Sequence, residues 1–410
     1  MADDGDSDEG RGAFRRRVFY IPGYDPLPPR RYRELYRREA ECQAAVSGFA
    51  IAVRPRPGGG PLGWTVEALV DGRAALAEVE VLVWSDLVRA SMAQGIAATY
   101  GQMARTLGLY LATGALARLM RLRKGPMLAA LYPVAALIVQ LLAAAALGAA
   151  AGLALAAIVP GAPGTVAGLA AAAGTGWTVL RWFKARDGRL YAHYLMHDFA
   201  WSARGGGAYP PALEARLSSF RARIRAALAG GVDEVLVVGH SSGAHLGISI
   251  LADLVREGVP DGPALSLLTL GQVVPMVSFL PRADRLRADL HDLSRSDRVA
   301  WVDVTAPGDG CAFALCDPVA VSGVAPPDQR WPLVISAAFT RTLSAERWRA
   351  LRWRFLRLHF QYLCAFDRPG DYDYFRVTAG PLTLGARYAG RAPSRSRITR
   401  ALSGHRSRAA

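Results

Sequence analysis

Val235-Leu236-Val237-Val238-Gly239-His240-Ser241-Ser242-Gly243-Ala244-His245-Leu246 is the stretch that decides how this chain is read. An apolar, β-branched run stops at a glycine, a Gly-x-Ser-x-Gly pentapeptide follows, and a helical pattern then continues through Ala244–Arg256. Strand, cramped turn and helix are implied in that order. The two glycines suit a chain that doubles back within a few residues, and such a turn leaves the Ser241 hydroxyl exposed above the carboxyl edge of a sheet.

Further short apolar runs lie on both sides of this unit. Arg17–Ile21, Phe49–Val53, Trp64–Leu69 and Glu78–Trp84 read as strands before it, Glu234–Val238 as its own strand, and Leu265–Leu270 and Val299–Thr305 as strands after it. Helical patterns over Arg30–Val46 and Pro211–Ala229 alternate with them. Strands interleaved with helices predict an α/β fold with a mostly parallel sheet covered by helices on both faces.

That pattern is interrupted from Gly125 to Leu180, where no side chain is charged. One helix needs only about 20 residues to cross the hydrocarbon core, so two crossings are expected here. Pro160-Gly161-Ala162-Pro163-Gly164 breaks the run and predicts a transmembrane helical hairpin with spans near 128–159 and 165–183. A buried Ala-rich hairpin in a soluble core is the alternative. Arg118, Arg121, Arg123 and Lys124 before the hairpin, and Arg181, Lys184, Arg186 and Arg189 after it, place both termini on the cytoplasmic side of an inner membrane. Tyr132, Trp177 and Trp182 are candidates for the interfacial belt, and Gly148-x-x-x-Gly152 and Gly164-x-x-x-Gly168 for close helix approach. Arg105–Arg123, apolar in its middle and basic at its ends, reads as an interfacial or lid helix, or equally as a packed one.

The expected organisation is an acidic disordered tail (1–14), an α/β part (15–88), an insertion carrying the lid helix and hairpin (89–190), a second α/β part (191–385) and a basic disordered tail (386–410). Composition narrows the partners. The 410 residues carry 49 Lys+Arg against 34 Asp+Glu, a net charge of +15, but the cations are nearly all Arg, with Lys only at Lys124 and Lys184. That bias across an Arg-, Ala-, Gly- and Pro-rich chain, without a basic-aromatic or finger pattern, speaks against nucleic acid; the bilayer is the expected partner. Cys42, Cys311, Cys316 and Cys364 show no ligand spacing, so reduced thiols and no metal or cofactor are expected. His193, His197, His240 and His245 lack an accompanying carboxylate set for a metal.

The strand–elbow–helix unit resembles the α/β-hydrolase superfamily, and in detail bacterial lipase- or esterase-like serine hydrolases, over Arg15–Trp84 and Tyr191–Leu384. The resemblance implies Ser241 as nucleophile and an oxyanion hole built from the Ser242 N–H and a second N–H in Ile21-Pro22-Gly23-Tyr24-Asp25-Pro26, with Tyr24 the candidate donor and Pro22 where the family usually has His. An ordinary Pro-Gly turn is the plainer reading of that loop. Family order puts the acid and then the base after the elbow. Asp309, in the glycine-flanked loop after Val299–Thr305, is the candidate acid; Asp317 is the runner-up, and Asp303 reads as structural. His359 is the candidate base, by elimination of His291 and His405 and by likeness to a His-x-x-Tyr pattern ending at Tyr362, although Glu346–Leu363 reads as a helix. The implied function is a membrane-anchored serine hydrolase acting on carboxylic, including lipid, esters. The alternative is a catalytically inactive hydrolase-fold membrane protein that binds a partner.

Overall fold

A computed structural model of the chain describes residues 12–56 and 62–409. The expected acidic tail lies, up to residue 11, outside the described residues. Eight strands form one mixed sheet: β1 (Phe14–Ile21), β2 (Ala50–Pro55), β3 (Gly63–Val70), β4 (Arg73–Val81), β5 (Glu234–His240), β6 (Ala264–Leu270), β7 (Val299–Thr305) and β8 (Leu333–Ser336). Their spatial order is β2-β3-β4-β1-β5-β6-β7-β8. β2, β3 and β4 pair antiparallel, whereas β4-β1-β5-β6-β7-β8 is parallel throughout. β8 escaped the sequence reading because it is only four residues long and follows a Pro-rich loop.

Side chains alternate across the sheet, so each central strand feeds two cores. Leu236 and Val238 of β5 face one layer with Tyr36, Tyr362 and Phe375; Val235 and Val237 face the other with Phe220, Leu246 and Leu290. Helix α1 (Arg30–Ser47) lies on the first side. A third core joins the insertion to the sheet domain, where Tyr110, Leu119 and Met127 pack with Met196, Phe279 and Phe313.

The insertion comprises α2 (Ser85–Met92), α3 (Ile96–Ala112), α4 (Ala115–Leu122), α5 (Lys124–Ile158) and α6 (Gly161–Ala185), followed by α7 (Asp187–Leu190) and α8 (Ala192–Ala203). The single lid helix expected over Arg105–Arg123 is two helices, because Gly114 adopts a left-handed φ of 68° between α3 and α4. Both are packed: Tyr110, Leu119 and Leu122 are buried.

α5 is the one helix among the described residues long and apolar enough to cross a membrane, with a mean hydropathy of 2.3 in its most apolar window and only 17% of that window buried. Up to Gln140 it has buried residues in the protein core; beyond that only Ala144, Gly148 and Gly152 are buried. Those glycines meet α6, for a Cβ on Gly152 would lie 2.6 Å from the Gly168 carbonyl oxygen, and one on Gly148 would lie 2.5 Å from that of Ala172. Leu142, Leu147, Leu153, Ile158, Val166 and Leu169 are exposed, so this part of the hairpin is not buried in the core of the chain itself.

Three expectations need correction. Of the two spans expected, only α5 is long and apolar enough to cross a membrane among the described residues; α6 is not. The break expected over Pro160–Gly164 is narrower, because Gly161–Gly164 already belong to α6. The helix expected over Glu346–Leu363 is broken into Ala345–Leu351, Phe355–His359 and a 3₁₀ turn at Phe360–Leu363, since Arg354 leaves helical geometry and Phe355 then packs on Gly310. The C-terminal tail expected to be disordered is docked: Ile398 N–H donates to Leu315 O, Ile398 O accepts from Asp317 N–H, and Leu402 N–H donates to Val321 O. A strand-like bridge between Cys316 and Ile398 and the buried Ser403 complete that seam. Backbone pairing needs no apolar side-chain pattern, so composition could not reveal it.

Candidate active site

Register brings the site together. Ile21 of β1 lies opposite Gly239 of β5, and His240 opposite Leu270 of β6, so the loops leaving β1, β5, β6 and β7 all rise from one edge of the sheet. Helix α9 (Gly243–Glu257) leaves the same edge directly after the serine turn.

Ser241 holds φ at +56°, a conformation that L-residues rarely adopt. The turn is kept by Ser241 N–H donating to Leu270 O at 2.8 Å and by Ser241 O accepting from Ala244 N–H at 3.1 Å. Its glycines are sterically required. A Cβ on Gly243 would lie 2.2 Å from Ile21 O, and one on Gly239 would lie 2.6 Å from Gly243 O. Gly23 approaches from β1, where a Cβ would meet that of Ser241 at 2.9 Å.

The Ile21–Pro26 loop is fixed from three sides. Trp84 Nε1 donates to Pro22 O at 2.9 Å, Tyr194 Oη to Tyr24 O at 2.8 Å, and Tyr32 Oη to Asp25 Oδ2 at 2.7 Å. Tyr24 and Ser242 are both buried, yet among the described residues neither backbone N–H has an acceptor. Two backbone amides in buried residues beside the serine turn are thus left without a protein acceptor.

Asp309, in the loop after β7, and His359, at the end of the short helix Phe355–His359, meet: His359 Nδ1 lies 2.7 Å from Asp309 Oδ2. Tyr362 Oη donates to the same oxygen at 2.9 Å and accepts from Ala306 N–H at 3.0 Å, while Cys311 N–H donates to Asp309 Oδ1 at 2.9 Å. Burial opposes charge on Asp309, but His359 and these donors hold its carboxyl below the usual range. Burial likewise pulls the His359 imidazole down, and Asp309 outweighs it, leaving the net shift upward. No hydrogen bond joins Ser241 Oγ to His359 in this structure; only the acid and the base of the expected set are bonded directly.

Asp317 is elsewhere. It caps a short helix by accepting from Val319 and Ala320 N–H, and Gln329 donates to its other oxygen. Asp303 is buried inside β7 beneath the Thr269 hydroxyl, and burial pushes its carboxyl up to about 8. His240 and His245 are also held by separate partners, His240 Nε2 donating to His359 O at 3.0 Å and His245 Nδ1 lying 2.8 Å from Tyr209 Oη. Burial pushes both imidazoles down to about 3, so they are neutral.

Three contributors were not foreseen as parts of the site. His240 fixes the backbone carrying the base, whereas the sequence offered it only as a neighbour of the serine and as one of four histidines weighed for a metal. Asp198 on α8 is a half-buried carboxyl without a hydrogen-bond partner among the described residues; burial pushes it up to about 7, and His359 acts against that rise. Cys311 places its sulfur within 4.8 Å of ligand atoms of Asp309 and His359. That trio offers three donors for a metal, but Asp309 Oδ2 already accepts from an imidazole and a phenol, an arrangement that orients the ring instead.

No family model, no curated protein and no solved structure matches this chain.

Proposed function

We propose that the chain is a serine hydrolase of the α/β-hydrolase type that cleaves carboxylic esters, anchored to a membrane by its helical hairpin. The observation that carries this reading is the convergence at one sheet edge of a strained serine, two unpaired buried amides and an imidazole oriented by a buried carboxylate. Ser241 Oγ attacks the ester carbonyl and its proton passes to His359 Nε2, the nitrogen not bonded to Asp309. The Tyr24 and Ser242 N–H groups hold the oxyanion. Collapse breaks the ester C–O bond, and the imidazolium returns its proton to the leaving alkoxide. Water, deprotonated by His359, then hydrolyses the acyl-serine. A small rotation of Ser241 on substrate binding brings it to the imidazole, as catalytic contacts commonly tighten only in the complex.

The free-standing part of α5, 141–158, would be about 27 Å long, close to the roughly 30 Å hydrocarbon core. Arg181 and Lys184 of α6 stand near the start of that part, where Gly176 faces Ala144, and no ion pair engages them among the described residues. Arg121, Arg123 and Lys124 lie at the N-terminal end of α5, about 25 Å away along the helix. This supports insertion in a bilayer with both termini on one side, and with it lipid esters as substrates.

A fluorophosphonate probe tests the reading. Wild-type protein is expected to be labelled at Ser241, and Ser241→Ala to lose both labelling and esterase activity. An unlabelled, inactive wild-type chain would favour the partner-binding scaffold.

A further inference from the structure

Beside the Ile21–Pro26 loop lies a cavity that Ser241 does not line. It has a volume of about 590 Å³ and is bounded by α2, α3, α8 and the turn after α8. That is the size of a small-ligand site. Leu87, Leu109 and Trp201 supply apolar walls, and among the described residues no Asp or Glu lines it.

Two guanidinium groups border this cavity, Arg105 and Arg204. Neither makes a hydrogen bond or ion pair among the described residues; Arg204 rests over the Trp201 ring with Cζ 5.6 Å from its centroid. His197, also in the lining, is pushed down to about 4 by burial and is neutral, so the positive charge there is that of the arginines. The cavity touches the hairpin as well, because Lys184 of α6 donates through Nζ to the backbone oxygen of its lining residue Gln94 at 2.7 Å. On its inner side Ser91 is hydrogen-bonded to Tyr24 Oη at 2.5 Å, and the Tyr24 and Trp201 rings pack with centroids 5.9 Å apart.

We propose that this cavity binds the anionic head of an amphiphile, a carboxylate or phosphate clamped between Arg105 and Arg204, with its apolar tail along Leu87, Leu109 and Trp201 toward the hairpin. Forked N–H donors match the paired oxygens of such a head. An uncharged head leaves both guanidiniums unpaired, and an anion without a tail leaves the apolar walls wet. The Ser91–Tyr24 bond makes the occupant a neighbour of the oxyanion loop. The proposal goes beyond the hydrolase reading and stands whether or not Ser241 is a nucleophile.

The test uses the full chain in phosphatidylcholine nanodiscs and a fatty acid carrying a diazirine in its tail, crosslinked by light and mapped by mass spectrometry. Crosslinks are expected on Leu87–Gln94 and Ala200–Arg204, and the methyl ester of the same probe should give none there. Arg105→Gln and Arg204→Gln should each lower the yield about tenfold, equivalent to about 1.4 kcal/mol, with Arg105→Lys retaining most of it. Ser241→Ala should leave crosslinking unchanged. Competition by oleate alone identifies a carboxylate head, and competition by lysophosphatidate identifies a lipid phosphate. Displacement by inorganic phosphate as effective as by either amphiphile would overturn the proposal. So would yields indifferent to both arginine variants, or loss of crosslinking in Ser241→Ala, which would place the probe in the serine cleft and leave the hydrolase reading intact.

Discussion

Asp309 and His359, fifty positions apart in the chain, share a 2.7 Å contact between a carboxylate oxygen and Nδ1, and Tyr362 donates to that same oxygen. The contact fixes the tautomer, because an imidazole that gives its Nδ1 proton to a carboxylate presents an unprotonated Nε2 to the serine.

Removing either partner of that contact should cripple turnover. Asp309→Asn and His359→Ala are each expected to lower kcat by about 10³-fold or more, and the double variant to be scarcely worse than His359→Ala. Steady-state kinetics on a short-chain ester reads this; multiplicative losses would show that the two residues act independently.

The acid limb of the kcat/KM profile should report His359. Asp309 and Asp198 both favour the imidazolium and raise its pKa, and the imidazolium cannot accept the serine proton. Activity therefore rises with pH as His359 loses its proton, above the ordinary histidine value. Asp198→Asn should move that limb to lower pH. Tyr362→Phe should move it higher, since a carboxylate stripped of one donor pulls harder on the imidazolium.

Steric demand at the elbow can be tested by stability alone. In Gly243→Ala the new methyl would meet the Ile21 backbone, which cannot swing aside. A loss of roughly 3 kcal/mol or more is expected from urea unfolding, and a variant as stable as wild type would contradict the geometry.

Arg16 and Glu234 form a fully buried ion pair at 2.5 Å between β1 and β5. Arg16 also donates to Gly380 O and Leu382 O, and Glu234 accepts from Ser266 Oγ and Leu384 N–H. Glu234→Ala should cost about 3–5 kcal/mol by stranding a buried guanidinium, read as a lower urea midpoint.

If the hairpin spans a bilayer, a cysteine at Ala162 and one at Ala389, each in a Cys42→Ser background, should differ in intact cells. The first is expected to react with an impermeant thiol reagent and the second to react only after lysis. Equal labelling would remove the membrane reading.

What the sequence determined by itself is local. Alternating apolar runs, the Gly239–Gly243 turn and the apolarity of 125–180 specify strands, a reversal and an apolar hairpin, because each depends on residues within a few turns of one another. GxxxG spacing also pointed to the helix faces that meet, since only glycine lets backbones approach to contact. Tertiary structure decided the rest. Placing Asp309, and not Asp317, beside His359 depends on β7, the broken helix around Arg354 and the docking of Phe355 on Gly310, none of which any short window encodes. Asp198 reaches the site from α8, in the chain beyond the hairpin, and the tail is held by backbone hydrogen bonds that leave no trace in side-chain pattern. Propensity and periodicity act along the chain, whereas a catalytic contact is set by which loops share one edge of a sheet.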